Sequence, residues 1–181
     1  MWYNGAGASP LLNNDHKEVA TMKDIIFKTD AFVFSYRIGG ILIHDGKILL
    51  QKVPNDDGYA LPGGHISFGE TSDEALIREF REELHADIKI ERLLMVGENF
   101  CPWGNMPCQQ INLFYLVSLC DNTQIPLDGT IHAYDEMCNI RFDLDFCWIP
   151  LSQLPNLKIY PFEAKEHLIS LPDHITHFIH R

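Results

Sequence analysis

Residues 63–86 read GGHISFGETSDEALIREFREELHA, a glycine-rich loop followed by an acidic stretch. Thr71 and Glu74 have the T-x-x-E spacing of a capping box, which predicts a helix that begins at Ser72. At about 100° per residue, the apolar side chains share one face of this helix and three glutamates share the sector beside it. The apolar residues are Leu76, Ile77, Phe80 and Leu84, and the glutamates are Glu79, Glu82 and Glu83. The helix therefore places three carboxylates at the border between core and solvent, with Glu83 nearest the core.

These three carboxylates allow two interpretations. A glutamate-rich helix face is usually just solvated, and like charges one turn apart repel each other by roughly 0.2–0.5 kcal/mol per pair. Alternatively, the carboxylates supply hard oxygen ligands for Mg²⁺ or Mn²⁺. The glycines ahead of the helix favour the second interpretation, because a residue without a Cβ lets backbone atoms approach a ligand closely. Arg78 can pair with Glu70 and orient the acidic cluster.

From Gly64 onward the sequence resembles the Nudix box, G-x5-E-x7-R-E-U-x-E-E-x-G-U, in which U is an apolar residue. The matching positions are Gly64, Glu70, Arg78, Glu79, Phe80, Glu82, Glu83 and Ala86. The one departure is His85, where the family has a glycine. The resemblance continues through YRIGGILIHDGKILLQK and ALPGGH before the box and FCWIPLSQLP after it, and covers roughly residues 32–171.

The resemblance to Nudix hydrolases implies an α/β fold, an α/β/α sandwich with a mixed central sheet. It also implies metal-dependent hydrolysis of the diphosphate linkage in a nucleoside diphosphate joined to another moiety, such as ADP-ribose or a nucleotide sugar. The implied cofactor is Mg²⁺ or Mn²⁺. The implied metal ligands are the Gly63 carbonyl, Glu79, Glu83 and, directly or through a water, Glu82, and the implied helix-bracing pair is Glu70 and Arg78.

Residues outside the box are assigned less sharply by the sequence. Besides Glu82, the candidate catalytic acids are Glu98 and Glu136, of which Glu136 is favoured because its long predicted loop is of the kind that carries function. Either can instead be an ordinary surface acid. Arg37 and Tyr59 are candidate substrate-binding residues; a surface ion pair for the arginine and simple packing for the tyrosine are the alternatives.

His85 stands where the family glycine commonly ends the helix in a left-handed conformation. A non-glycine residue adopts that geometry at a cost of about 1 kcal/mol, and histidine is among the better-tolerated alternatives. We expect a small loss of stability and no loss of activity. The other interpretation is that His85 joins the site.

The rest of the chain predicts strands, one helix, more strands and a final helix. The predicted strands are Ala31–Arg37, Gly40–His44, Lys47–Lys52, Ile88–Val96, Ile111–Leu119 and Arg141–Ile149, and the predicted C-terminal helix is Phe162–Leu171. Asp45-Gly46 predicts a two-residue hairpin turn. Residues 101–109 and 121–139 read as loops, and the histidines of HITHFIHR read as C-terminal surface. Residues 1–29 are predicted to form a flexible arm and residues 30–181 one domain.

Composition limits the partners of the protein. The net charge of −11 argues against general nucleic-acid binding, which needs lysines and arginines facing phosphates. No apolar run approaches the roughly 18–20 residues that span a bilayer, and no signal peptide is expected. Five cysteines without a C-x-x-C pair favour free thiols in the cytoplasm. The expected partner is a small phosphorylated substrate, and a homodimer is possible.

Three alternatives to this function stay open. The chain can hydrolyse a damaged nucleoside triphosphate or a non-nucleotide diphosphate, or it can be a Nudix-like module that senses a nucleotide without cutting it. The intact acidic set argues against the sensing module, because such a module does not need these carboxylates.

Overall fold

The fold combines one large mixed sheet with two α-helices and a short 3₁₀ helix. The computed structural model describes the backbone of residues 23–137 and 140–181 and the side chains of residues 23–134 and 143–181. In chain order, the elements are β1 (Ile26–Lys28), β2 (Val33–His44), β3 (Lys47–Lys52), β4 (Gly58–Ala60), α1 (Ser72–Leu84), β5 (Ile88–Trp103), β6 (Met106–Leu119), β7 (Thr130–Met137), β8 (Ile140–Pro150), the 3₁₀ helix (Leu151–Asn156), β9 (Lys158–Tyr160), α2 (Ala164–Ile169) and β10 (Thr176–His180). Within these ranges no helix has the length and apolarity needed to cross a membrane.

The sheet mixes parallel and antiparallel pairs. Its strands follow the order β10-β5-β6-β2-β3-β4-β9, while β1 pairs with β2, and β8 pairs with both β3 and β7. The pairs β2–β6 and β10–β5 are parallel, and β5–β6 is antiparallel. The predicted strand at 111–119 is thus internal, as its almost continuous apolar sequence indicates.

Alternating side chains build a core on each face of the sheet. Leu42 and Leu49 pack with Leu76 and Phe80 of α1 on one face. Their neighbours Ile41, Ile48 and Leu50 pack on the other face, together with Ala164 and Leu168 of α2. Successive residues of a strand point to opposite faces, so the sheet lies between two helical layers. The predicted α/β/α sandwich is confirmed.

Helix α1 has the predicted bounds and the predicted capping box. The Thr71 side chain accepts from the Glu74 N–H, and the Glu74 side chain accepts from the Thr71 N–H. At the other end, His85 is left-handed, with φ 53° and ψ 34°, and its N–H donates to the Arg81 carbonyl. The N–H of Ala86 donates to the Phe80 carbonyl at 3.2 Å. His85 therefore terminates the helix in the conformation for which a glycine is usually chosen.

Several predicted boundaries are wrong. The two strands predicted over 31–44 form the single strand β2, which ends at the predicted Asp45-Gly46 turn, where both residues have positive φ. Residues 101–109 form no open loop, because β5 and β6 continue as an antiparallel pair as far as Trp103 and Met106. The second half of the predicted loop 121–139 is largely β7, which satisfies its backbone by pairing with β8.

The two ends of the chain also differ from the prediction. The C-terminal helix is shorter, Ala164–Ile169, and the predicted histidine surface contains β10, which pairs in parallel with β5. At the N-terminus, residues 1–22 of the predicted arm lie outside the described residues. Its last part forms β1, which pairs with β2, so the ordered sheet begins before residue 30. The four cysteines that the structure describes are free thiols.

Candidate active site

The loop before α1 lies along the edge of β2 and is held there by backbone hydrogen bonds. The N–H of Gly40 donates to the Pro62 carbonyl at 2.7 Å, and the N–H of Ile38 donates to the Gly64 carbonyl at 3.0 Å. No backbone N–H of the described residues donates to the carbonyl of Gly63, which lies between these two. The loop is therefore fixed on both sides of one carbonyl to which no described backbone N–H donates.

Both glycines of this loop are required by close contacts. Gly63 has φ 143°, and a Cβ there would lie 2.4 Å from the Ile38 carbonyl oxygen. A Cβ on Gly64 would lie 2.3 Å from Oε1 of Glu79. The backbone at Gly64 thus packs directly against a carboxylate of α1, which only a residue without a side chain allows.

Arg78 organises the acidic groups around the start of α1. Its Nε and Nη2 donate to the two oxygens of Glu70 at 3.1 and 2.9 Å, and Nη2 also donates to the His65 carbonyl. Its Nη1 donates to Glu79 and Glu82, both at 2.9 Å. The predicted bracing pair of Glu70 and Arg78 is present in this geometry, and the same guanidinium offsets part of the repulsion between the neighbouring glutamates.

The three predicted metal-ligating glutamates of α1 differ in exposure. Glu79 and Glu83 are each only 7% exposed. The side chain of Glu82 is 60% exposed. The sequence places all three at the border of the core, whereas the structure buries two of them and leaves the third in solvent. Buried carboxylates are rare unless they pair or bind a cation.

Burial and hydrogen bonds shift the pKa values of this network in opposite directions. Burial raises the pKa of Glu70, but hydrogen bonds from Arg78 and from the Ser67 N–H outweigh it, and the resulting pKa lies below the usual value. Burial lowers the pKa of Arg78, but the hydrogen bond to Glu70 and the charge of Glu79 outweigh this effect and raise it. Both groups are therefore charged at neutral pH.

A cleft of about 350 Å³ opens beside α1, and we call it the α1 cleft. Its lining includes both predicted substrate-binding residues and most of the predicted metal ligands. These lining residues are Arg37, Tyr59, Gly63, Glu79 and Glu82, together with Gly64, Arg78, Lys52 and His65. The cleft combines carboxylates with two further cations, Arg37 and Lys52, which suits a charged ligand that carries both phosphate groups and a divalent cation.

Of the two candidate acids outside the box, only Glu98 has a described side chain, and it does not line this cleft. Glu98 lies on β5, accepts a hydrogen bond from His177 Nε2 at 3.0 Å and is absent from the lining of the α1 cleft. The backbone of Glu136 lies in β7 opposite Arg141, not in a loop, and its side chain lies outside the described residues. Their catalytic roles stay predictions.

His65 is a cleft residue to which the sequence assigns no role. Burial and the nearby Arg37 guanidinium lower its pKa to about 3, so its imidazole is neutral at neutral pH. Its Nε2 lies 3.5 Å from Nη1 of Arg37. The only signal in the sequence is its place directly after Gly63-Gly64, which gives no indication that the side chain is buried beside an arginine.

The comparison with protein families covers most of the chain. The model of the NUDIX domain family matches residues 35–168. The chain belongs to the Nudix family. This membership confirms the predicted family and, with it, the predicted class of enzyme, a Nudix hydrolase that acts on pyrophosphate bonds.

Two proteins of known name are similar in sequence to this Nudix chain. An ADP-ribose pyrophosphatase of Methanocaldococcus jannaschii is 44% identical over 62 residues, which cover 33% of this chain and 37% of that protein. The chain therefore spans little more than a third of that relative's length. An RNA pyrophosphohydrolase of Baumannia cicadellinicola is 28% identical over 153 residues, or 74% of this chain and 93% of that protein.

Solved structures support the same fold. An ADP-ribose pyrophosphatase from Streptococcus suis aligns with a TM-score of 0.54 and 18% identity over 80% of this chain and 98% of its own. A UDP-X diphosphatase aligns with a TM-score of 0.55 and 20% identity over 90% of this chain and 70% of its own. At such identities the likeness concerns the fold alone.

The residues of the Nudix box fit a divalent cation in chemistry. Two buried carboxylates one turn apart, an exposed third and a backbone carbonyl to which no described backbone N–H donates are the oxygen donors that Mg²⁺ and Mn²⁺ prefer. Within the described residues, however, no three His, Cys, Asp or Glu side chains already converge on one point. Nη1 of Arg78 contacts Oε1 of Glu79 and Oε2 of Glu82, so the guanidinium shares these two carboxylates with any cation that they bind.

Proposed function

We propose that this Nudix hydrolase cleaves the diphosphate linkage of a nucleoside diphosphate joined to another moiety, with Mg²⁺ or Mn²⁺ as cofactor. The observation that carries the proposal is the α1 cleft, which Glu79 and Glu82 line together with Arg37, Lys52 and Tyr59, whereas Glu83 is not among its lining residues. The name of the Methanocaldococcus jannaschii relative supports ADP-ribose as one member of the substrate class.

The cation would be held by Glu79, Glu83, the Gly63 carbonyl and, directly or through a water, Glu82. When bound, a divalent cation neutralises phosphate oxygens and lowers the pKa of a coordinated water. The tight contact between Gly64 and Glu79 supports this assignment, because it fixes a carboxylate against the backbone of the residue that follows Gly63.

The residues of the chain then divide the remaining work. Arg37 and Lys52 bind the anionic phosphates, and Arg78 holds the helix carboxylates against the loop through Glu70 and the His65 carbonyl. Water attacks one phosphorus, the bridging P–O bond breaks, and the proton of the water passes to a carboxylate. Glu82 is our first candidate for that acceptor because it is exposed within the cleft, and Glu136 and Glu98 are the others.

A panel of diphosphates tests the proposal. Purified protein with Mg²⁺ or Mn²⁺ should release a nucleoside monophosphate from ADP-ribose or from a nucleotide sugar. Glu83→Gln should lower kcat by about a thousandfold. The substitution removes a metal ligand, and stabilisation of the transition-state charge by the metal is worth several kcal/mol. Asp73→Asn is the matched control, an exposed acid of the same helix outside the cleft, and should retain activity. Turnover of no diphosphate in the panel would overturn the proposal.

The alternatives give different results in the same panel. A damaged-triphosphate hydrolase turns over modified nucleoside triphosphates and leaves ADP-ribose intact, and a sensing module binds a nucleotide without turnover. The cytoplasmic location, the absence of nucleic-acid and membrane partners and the possible homodimer stay predictions.

A further inference from the structure

A second cavity of about 230 Å³ adjoins the α1 cleft, and we call it the amide cavity. The two share lining residues, among them Arg37, Gln51 and Tyr160. The amide cavity alone is smaller than the roughly 300 Å³ at which small-molecule sites usually begin, whereas cleft and cavity together fall within the usual range. The size and the shared walls indicate one bipartite site.

Amide side chains from three strands converge on this cavity. Gln51 comes from β3, Asn99 from β5, and Gln110 and Asn112 from β6. The sheet aligns them, because Asn112 lies directly beside Arg37 of β2 and Gln110 lies directly opposite Asn99. The amides are therefore presented by rigid strands, next to the arginine that faces the α1 cleft.

Three of these amides have buried atoms without a hydrogen-bond partner. Asn99 and Asn112 are each 6% exposed. Within the part of the chain that the structure describes, Oδ1 of Asn99, Nδ2 of Asn112 and Oε1 of Gln51 make no hydrogen bond. Buried polar atoms are almost always paired, and exceptions call for an explanation. Three such atoms around one cavity are explained by a ligand that pairs with them.

The remaining walls define the shape of that ligand. Ile38, Leu61 and Phe114 contribute apolar surface, and Tyr160 contributes an aromatic ring. A planar ring with donors and acceptors on its edge satisfies both kinds of wall, because its faces contact the apolar residues and its edge bonds the amides. A sugar, which carries hydroxyl groups all round, leaves the apolar walls unused.

We propose that the amide cavity binds the nucleobase of the substrate, with Asn99 and Asn112 as specificity-determining residues. The proposal rests on the proposed function, since the base then lies beside Arg37 while the diphosphate extends into the α1 cleft. It adds that the chain recognises the nucleoside half of its substrate, so a diphosphate without a base is a poor ligand.

Titration calorimetry with nucleoside monophosphates and ribose 5-phosphate tests this proposal without requiring turnover. At least one of AMP, GMP, CMP and UMP should bind at least about tenfold more tightly than ribose 5-phosphate. Asn112→Leu and Asn99→Leu should each weaken that nucleotide by about tenfold and leave ribose 5-phosphate unchanged, because a hydrogen bond to a buried amide is worth about that factor. Gln109→Leu is the matched control, an exposed amide of β6 outside the cavity.

Both variants should fold, because leucine has the same branching as asparagine and replaces an amide of which one buried atom has no hydrogen-bond partner among the described residues. If one variant fails to fold, the other decides the outcome. Equal binding of all four nucleotides and ribose 5-phosphate, or a preference that survives both substitutions, would overturn the inference. Nucleotide binding that depends on the amides in a protein without diphosphatase activity instead contradicts the proposed function and leaves the cavity assignment standing.

Discussion

The α1 cleft and the amide cavity adjoin each other but differ in whether their buried polar groups are paired within the protein. In the cleft, Arg78 contacts Glu70, Glu79 and Glu82 at once, so the charged groups stabilise one another before any ligand arrives. In the cavity, the amides of Asn99 and Asn112 present atoms that the described fold does not pair. The cleft is organised by its own charges, and the cavity is left to be completed by a ligand.

This difference indicates separate roles for the α1 cleft and the amide cavity. A network that is satisfied internally holds its geometry in the free protein, which suits groups that must be in place for chemistry. Unpaired amides reject a ligand that cannot bond them, which suits selection of a substrate. Stability and recognition should therefore respond differently to substitutions in the two places.

The largest difference is expected in stability. Arg78→Leu leaves the buried carboxylates of Glu70 and Glu79 without their cation and should lower the free energy of unfolding by about 3 kcal/mol. Asn112→Leu should leave it unchanged or raise it slightly, because the buried Nδ2 that it removes has no hydrogen-bond partner among the described residues. Urea unfolding of both variants at neutral pH measures the difference. Equal losses in the two variants would remove the distinction between cleft and cavity.

Substitutions at two glycines of the box loop distinguish the effect of altered cleft geometry from the effect of backbone strain. Gly64→Ala places a Cβ 2.3 Å from Glu79 Oε1, so the carboxylate has to move. We therefore expect kcat/KM to fall at least about tenfold and the Mg²⁺ concentration needed for half-maximal activity to rise. Gly69 has φ 98° with no neighbour within 4 Å. Gly69→Ala should cost about 1 kcal/mol of stability and leave kcat/KM unchanged. Steady-state kinetics and thermal melts on both variants check this, and the reverse pattern would contradict it.

His85, at the end of α1, lines neither the α1 cleft nor the amide cavity, so a substitution there is a reference for both. His85→Gly removes a side chain from a left-handed residue and should raise the free energy of unfolding by up to about 1 kcal/mol. Loss of the contact between His85 Nδ1 and the Arg81 carbonyl, at 3.2 Å, offsets part of this gain. Diphosphatase activity should not change, and a clear loss would place His85 in the site.

Acidic pH should reduce the stability that the charged groups beside the α1 cleft contribute and should leave the amide cavity unaffected. The pKa of Glu70 is lowered in the folded protein, so its contribution is complete above the unfolded value of about 4.5 and disappears as the pH falls through the folded value. Wild-type protein should be more stable than Glu70→Gln at neutral pH, and the difference should shrink below about pH 4.5. Urea unfolding across this range measures the difference, which should not shrink if Glu70 is not charged in the fold.

Sequence patterns predicted the local parts of this protein. The capping box fixed the start of α1, Asp45-Gly46 marked the hairpin, and the spacing of the acids placed Glu79, Glu82 and Glu83 on neighbouring positions. The non-local parts were not predictable. Pro102 and Pro107 lie in the predicted loop 101–109, yet they pair with each other in the β5–β6 hairpin, whose turn is formed by Gly104 and Asn105.

The amide cavity shows the same limit more sharply. Gln51, Asn99 and Asn112 lie on three different strands, and no spacing between them marks a site. The register of β2, β5 and β6 places Asn112 beside Arg37 and Asn99 opposite Gln110. Burial was likewise misjudged for Glu82, because a helical projection shows which residues are neighbours but not how far the surrounding loop covers each of them.

Binding of Mn²⁺ to the free protein, followed by electron paramagnetic resonance, tests most directly that the α1 carboxylates form a cation site. Wild-type protein and Asp73→Asn should bind Mn²⁺ equally, and Glu83→Gln should bind it at least about tenfold more weakly, since metal affinity depends on ligand charge. Mn²⁺ binding that is the same in Glu83→Gln as in the wild type would contradict the account.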